Sequence, residues 1–286
     1  MRESQMKKII AAAVAAAFVA PVYAVDITIS GDQEFSYSDA NGTTATAIDG
    51  DFNVKASTET ANGISVSADI NIANDGGDDG SASLTLSGEF GTLDMGDTSS
   101  AADSVDDRTD YSLVTGVATT AGDAGIGWTL PSLVPNLSIY LSHSADNTYD
   151  GTATGAGAEA HTGVALEYAA GPVEVAYAEN ENDDGSKITY VGGTATFGGA
   201  AVSVERMDDD ATDTEEAAMG ISYGMGDMTI YLAQEETQVA NATTADVTAV
   251  GLQYSLGGGV TAFVESSSDD KDVTAETTAA GVTFAF

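Results

Sequence analysis

From residue 25 to its last residue, the chain is a series of short runs in which apolar side chains alternate with small or polar ones. The clearest run places apolar side chains at every second position, namely Ile64, Val66, Ala68, Ile70 and Ile72. A period of two is that of a β-strand whose two faces meet different surroundings. Sixteen such runs can be counted, which predicts an all-β protein of about 16 antiparallel strands.

Tight turns and longer connections alternate between the runs. Asn62 with Gly63 and Gly198 with Gly199 are typical of tight turns, whereas polar, acidic stretches at 39–47, 208–216 and 236–246 predict loops. The longest connection, residues 98–124, is of a length that is usually functional or disordered. An even number of strands with tight turns on one rim and long loops on the other is the pattern of a transmembrane β-barrel.

The composition of the strand faces favours a membrane barrel over a soluble β-sandwich. A sandwich would need a dense apolar core, but large apolar residues are sparse and the second face of each run is small or polar. A wide barrel can line water with that face. Several tyrosines lie near the predicted strand ends, where they would form aromatic girdles or serve simply as strand residues: Tyr140, Tyr168, Tyr177, Tyr190, Tyr223 and Tyr254.

Both ends of the chain indicate export to a membrane. Residues 1–24 contain Lys7 and Lys8, a short apolar run and an Ala-terminated site, as in a secretory signal peptide cleaved after Ala24. The apolar run is too short for a spanning helix, which needs about 20 residues. We expect export through the Sec pathway and a single barrel domain over residues 25–286. The last strand ends on Phe286, like the closing strand of outer-membrane barrels.

The chain is strongly acidic, with 45 Asp and Glu against 8 Lys and Arg and a formal charge of −37. This charge repels nucleic acid and attracts cations. Two causes are open: a cation-selective site, or a generally acidic surface suited to saline water. The absence of cysteine excludes thiol and zinc–thiolate chemistry.

Four segments carry a family resemblance: residues 29–32, 86–97, 254–260 and 281–286. They are similar, in the same order, to segments of general diffusion porins of Gram-negative bacteria, closest to the Rhodobacter type. The resemblance implies a homotrimer of 16-stranded barrels in outer-membrane lipid, with the third long loop, residues 98–124, folded into the pore. It implies passive diffusion of ions and small hydrophilic solutes, no enzymatic activity and no required cofactor.

In this family, carboxylates on the inward loop oppose basic side chains on the barrel wall. The resemblance assigns the pore constriction here to Asp97, Asp103, Asp106, Asp107, Arg108, Asp110 and Lys55. Lys55 has the opposite parity to Val54 and is the basic wall residue predicted to point inward, while Arg108 lies in the loop itself. So weak a basic wall predicts a cation-preferring pore. A solvated loop with no special role is the alternative for the aspartates.

Two acidic clusters have the hard oxygen ligands that calcium prefers: Asp75, Asp78 and Asp79, and Asp208, Asp209 and Asp210. Neither has the spacing of an EF-hand, so weak calcium binding and plain solvation of the loop tips are both open. An acidic, calcium-binding adhesin or β-structured surface protein without channel activity is the alternative function. A barrel enzyme would need Ser or Asp beside a histidine, and His143 and His161 belong to no recognisable catalytic motif.

Overall fold

Sixteen antiparallel strands close into one barrel in the computed structural model, each strand pairing with its neighbours in sequence. This confirms the predicted fold class and strand number. The structure describes residues 25–73, 81–109, 117, 124–144, 160–272 and 275–286. The strands are β1 Asp26–Ala40, β2 Thr43–Glu59, β3 Ser65–Ala73, β4 Ala82–Gly88, β5 Gly91–Thr98, β6 Ala124–Thr129, β7 Leu137–Ser144, β8 His161–Ala170, β9 Val173–Asn182, β10 Lys187–Phe197, β11 Ala200–Asp209, β12 Thr214–Met225, β13 Met228–Val239, β14 Ala242–Gly257, β15 Val260–Asp269 and β16 Thr277–Ala285. Within the described ranges, no helix is long and apolar enough to cross a membrane.

The barrel closes where the first strand meets the last. β1 pairs with β16 from Asp32 opposite Ala285 to Ala40 opposite Thr277. The terminal residue extends this ladder, because Phe286 and Gly31 exchange two backbone N–H···O bonds of 2.9 and 3.0 Å. The ring of Phe286 stacks on that of Phe284, with centroids 5.6 Å apart. Each of the sixteen described strands is therefore paired on both sides, as a membrane-embedded sheet requires.

The two faces of the sheet differ sharply. Along β8, β9 and β11, apolar residues such as Val164, Val175 and Val204 are exposed, while the residues between them are buried. The exposed apolar face is the outer surface, because a closed barrel buries only side chains that crowd its interior. This face supplies the apolar band that lipid requires. The inner face carries small and polar residues.

Several connections are shorter than the sequence predicted. The loops predicted at 39–47 and 236–246 are two-residue turns, Asn41-Gly42 and Ala240-Asn241, and the loop predicted at 208–216 is reduced to residues 210–213. Polar composition led to the error. Strands that rise above a bilayer have water on both faces, so polar residues continue them without breaking the β-ladder. The longest connections are those after β5 and β7, followed by the shorter ones after β3, β6 and β15.

The predicted tyrosine girdle divides between the two faces. Tyr168, Tyr177, Tyr223 and Tyr254 are exposed on the outer surface, as a girdle requires. Tyr140 and Tyr190 point inward instead: Tyr190 is fully buried, and the Tyr140 hydroxyl donates to Glu167 Oε2 at 3.2 Å. Their positions have inward parity, and their hydroxyls meet carboxylates inside the barrel.

Candidate functional site

The connection after β5 turns into the barrel. Its first residues form a tight turn in which the Ser104 N–H donates to the Ser100 carbonyl at 3.1 Å. The Ser100 hydroxyl accepts the Asp103 N–H at 3.2 Å, as an N-cap serine does. The turn then docks on the inner wall, because the Ala101 N–H donates to Ser142 Oγ at 2.8 Å and Asn180 Nδ2 donates to Ser100 Oγ at 3.1 Å. We call residues 99–109 the inward segment.

Small side chains allow this close approach. Ala101, Ala102 and Val105 of the inward segment are buried in one cluster with wall residues of β8 to β12, namely Ala165, Ala176, Ala178, Ile188, Tyr190, Met207 and Ala218. Alanines on the wall leave room for the chain, and alanines on the segment let its backbone approach. Burial of this apolar area holds the segment against one side of the lumen.

The charged end of the inward segment is Arg108, whose side chain is only 6% exposed. Its Nη2 donates to Glu167 Oε1 at 2.9 Å, and its Nη1 donates to Glu174 Oε1. Burial by itself lowers the pKa of this guanidinium, but the hydrogen bonds to Glu174 and Glu167 outweigh it and raise the pKa above the ordinary arginine value. Arg108 is therefore a fixed cation whose charge is neutralised by the wall.

A second wall carboxylate, Glu205 on β11, binds the backbone of the same connection. Its Oε2 accepts the Arg108 N–H at 3.0 Å, and its Oε1 accepts the Thr109 N–H at 3.0 Å and the Val117 N–H at 3.3 Å. The Tyr190 hydroxyl donates to Oε2 at 2.9 Å. Glu205 is 5% exposed, so these donors offset its negative charge and it attracts cations in the lumen only weakly.

The predicted loop residues occupy different surroundings. Asp103 and Asp107 are exposed and Asp106 is half-buried, while Asp97 lies earlier, on β5. Asp107 has a left-handed backbone with φ of 55°, which aspartate tolerates better than most residues. Asp110 lies outside the described residues. Asp97 and Ser104 also line a cavity of about 250 Å³ between the inward segment and β4 to β7.

The wall under the inward segment is acidic rather than basic. Glu167, Glu174 and Glu205 were not singled out from the sequence, although each lies at an inward position of a predicted strand. Glu205, for example, directly follows the exposed Val204. Parity was the signal that could have revealed them. The structure therefore places the cation on the loop and the carboxylates on the wall at this contact, the reverse of the arrangement that the resemblance implied.

Lys55 lies on the inner surface of β2, away from the inward segment. The pairing registers carry the inward face from Asn180 through Gly163, Ser142, Gly127, Asp94, Thr85 and Ser67 to β2, where Ser57 and therefore Lys55 face inward. Lys55 is opposite Asp69 in the ladder. Asp69 also accepts a hydrogen bond of 2.5 Å from Asn53 Nδ2.

The same alternation along the other strands places further carboxylates on the inner surface of the barrel. They include Asp32 and Glu34 on β1, Asp49 and Asp51 on β2, Asp69 on β3, Asp94 on β5, Glu167 on β8, Glu174 on β9, Glu205 on β11, Glu216 on β12, Glu235 on β13 and Glu265 on β15. The other strand cations face outward, where Lys187 pairs with Glu179 at 2.6 Å and Arg206 with Glu215 at 2.7 Å. Lys55 is therefore the one inward lysine or arginine on the described strands.

The described residues give no support to the other predicted chemistry. No group of three or more His, Asp or Glu within the described ranges is arranged to hold a metal ion. Both carboxylate oxygens of Asp209 accept hydrogen bonds within its own turn, from the Ala211 N–H and the Thr212 hydroxyl. Asp75, Asp78 and Asp79 lie outside the described residues, so calcium binding stays a prediction. His143 and His161 lie on opposite faces of the sheet and do not converge.

Comparisons with known proteins agree with this architecture. A sequence profile described as Gram-negative porin matches residues 10–274. A porin structure refined at 1.8 Å is similar over 91% of this chain and 100% of its own, with 17% identity and a TM-score of 0.73. Two variants of the Rhodopseudomonas blastica porin cover the same shares, one with 18% identity and a TM-score of 0.69, the other with 20% and 0.67. No curated protein matches significantly.

Proposed function

The chain belongs to the Gram-negative porin family and forms a general diffusion channel of the outer membrane, and we propose that this channel prefers cations. We likewise propose that it acts as a channel rather than as an enzyme, because the family model and the fold are those of porins. The observation that carries the proposal is the charge of the inner surface. Carboxylates occur on most of the strands, whereas the two inward cations are Lys55 and an Arg108 already neutralised by Glu167 and Glu174.

The size of the effect follows from Coulomb's law. The attraction of a carboxylate in water stabilises a monovalent cation that passes about 5 Å away by about 0.8 kcal/mol. Screening at 0.1 M salt, where the Debye length is about 10 Å, reduces this to about 0.5 kcal/mol. An anion loses the same amount, so each exposed carboxylate that an ion passes raises the cation-to-anion permeability ratio about fivefold at this salt concentration.

The test is the reversal potential of the purified protein in a planar bilayer under a salt gradient. We expect a potential that corresponds to cation permeation and that shrinks as the total salt concentration rises. Equal permeability, or a preference for anions, would refute the proposal. Stepwise conductance with no ion preference would leave the diffusion channel standing and remove only the selectivity.

Two neighbouring glutamates on β12 supply a matched pair of variants. Glu216 has inward parity, whereas Glu215 faces outward and pairs with Arg206. Glu216→Gln and Glu215→Gln therefore change the total charge equally. We expect Glu216→Gln to lower the cation preference and Glu215→Gln to leave it unchanged, because only the first charge faces the ions.

The trimer that the resemblance implies is part of the same proposal. Val66 and Ile70 face outward on β3, and Ile64 lies just before that strand, so these residues offer small apolar surface to a second copy. The same apolar surface could equally contact lipid, so the support for a trimer is the resemblance to the porin family. Crosslinking in mild detergent should give a three-subunit product, and monomer alone would contradict it.

We also propose export through the Sec pathway and removal of residues 1–24. The support is the basic, apolar and Ala-terminated pattern of that segment. Amino-terminal sequencing of the protein from outer membranes should begin at Val25. A mature protein that retains Lys7 and Lys8 would contradict the assignment.

A further inference from the structure

The connection after β5 meets one carboxylate at two separate points of its chain. Arg108 and Thr109 present their N–H groups to Glu205, and Val117 presents its N–H group to the same side chain. Described residues on both sides of positions 110–116, which lie outside the described ranges, therefore bond to the same carboxylate. No other wall side chain accepts hydrogen bonds from both points among the described residues.

The surroundings of Glu205 are built for this contact. Tyr190 on β10 donates its hydroxyl to Glu205 and is itself fully buried. Gly192 pairs with Glu205 across the ladder, and its lack of a side chain leaves space for Tyr190 and Arg108. A Cβ at Gly192 would lie 2.8 Å from Tyr190 Cζ and 2.9 Å from Arg108 Cδ, well inside contact distance. A side chain at this position would thus press on the tyrosine and on the inward segment together.

We propose that Glu205 is the positioning residue that holds the inward segment and Val117 against the wall of the lumen and thereby sets the size limit of the pore. This inference rests on the proposed channel function. It assigns Glu205 a different task from the solvent-accessible inward carboxylates, because its oxygens are occupied by four donors and its side chain is almost inaccessible to solutes. Glu216 and Glu235 attract ions, whereas Glu205 decides how much room the ions and solutes have.

Three variants separate anchoring from charge. Glu205→Gln replaces one carboxylate oxygen with an NH₂ group that faces donors, so it breaks part of the contact and removes the charge. Glu205→Asp keeps the charge but is one methylene shorter, so it cannot reach both points of the connection. Glu235→Gln removes a charge from the same wall, two strands away, where no described residue of the connection bonds to it.

The experiment combines single-channel recording with swelling of proteoliposomes in sugars of increasing size. Glu205→Asp and Glu205→Gln should both give fluctuating conductance levels and lose the wild-type exclusion of the larger sugars. Glu205→Asp should do so at the wild-type reversal potential. Glu235→Gln should shift the reversal potential toward zero selectivity and keep the wild-type size limit.

Heat-modifiable migration on a gel identifies variants that form the barrel. If Glu205→Gln does not assemble, Glu205→Asp decides the question. Steady conductance and an unchanged size limit in an assembled Glu205→Asp protein would overturn the inference. So would a Glu205→Gln protein that matches Glu235→Gln in every respect. A wild-type protein that carries no current would overturn the proposed function and this inference with it, whereas a conducting wild type beside unaltered Glu205 variants would overturn the inference alone.

Discussion

Replacement of Arg108 by methionine tests the charge arrangement where the inward segment meets the wall. Methionine keeps an unbranched apolar stem of similar packing and removes the guanidinium. Glu167 and Glu174, whose side chains are 23% and 42% exposed, then lose their cation but remain open to water in the lumen. The variant should therefore loosen the inward segment and expose two carboxylates to passing ions.

The loss of docking free energy lies between two limits. Removing one partner from a fully buried ion pair costs about 3–5 kcal/mol, because a buried charge is left uncompensated. An exposed pair contributes about 0–1 kcal/mol. Because Arg108 is buried and its partners can hydrate, we expect a loss of about 2 kcal/mol, between these limits. The Glu205 contacts should keep the segment bound on average.

The effect on selectivity follows from the change of one unit charge in the lumen. At about 5 Å and 0.1 M salt, one negative charge lowers the free energy of a monovalent cation by about 0.5 kcal/mol and raises that of a monovalent anion by the same amount. The cation-to-anion permeability ratio should rise about fivefold at 0.1 M and less than about twofold at 1 M, where the Debye length is about 3 Å.

Arg206→Met is the matched control. Arg206 is 54% exposed on the outer surface and pairs with Glu215 at 2.7 Å, so this variant loses the same charge outside the lumen. Reversal potentials of both variants should be measured at both salt concentrations. Addition of guanidinium ion to Arg108→Met should partly restore the wild-type permeability ratio, because Glu167 and Glu174 can still accept hydrogen bonds from a guanidinium group. An equal shift in both variants, or none in Arg108→Met, would refute the reasoning.

Further predictions concern the rest of the barrel. Asp103→Asn with Asp107→Asn should lower the cation preference with the size limit unchanged, since both side chains are exposed and the volume is kept; a changed sugar limit would argue against this. Lys55→Ala should raise the cation preference in the reversal-potential assay. Deletion of Phe286 removes its two backbone bonds to Gly31, so assembly into the outer membrane should slow while export continues; wild-type assembly would exclude a role for the terminal residue. Gly251→Ala places a methyl group in the Tyr231 ring and should cost about 1–3 kcal/mol, seen as a lower temperature of gel-shift unfolding. Gly224→Ala is its control, because the nearest atom to a Cβ there is 3.8 Å away.

The barrel architecture is predictable from local patterns in the amino-acid sequence. Alternation with a period of two is a local property of each strand, so the number of strands and the face on which Lys55 lies follow from parity alone. The closing role of the last strand also follows from order along the chain, and Phe286 meets Gly31 as the final pair. Loop lengths were less predictable, because strands above the bilayer are wet on both faces and resemble loops in composition.

The residues that contact the inward segment, by contrast, are not predictable without the three-dimensional fold. Arg108 lies far along the chain from Glu167, Glu174 and Glu205, and their contact depends on how the connection folds across the lumen. Parity shows that these glutamates point inward, but many other carboxylates do as well. Whether a carboxylate binds a backbone amide, neutralises an arginine or faces water depends on distances of a few ångströms. Those distances arise from the curvature of the closed sheet and the path of one connection, and neither leaves a periodic trace in the sequence.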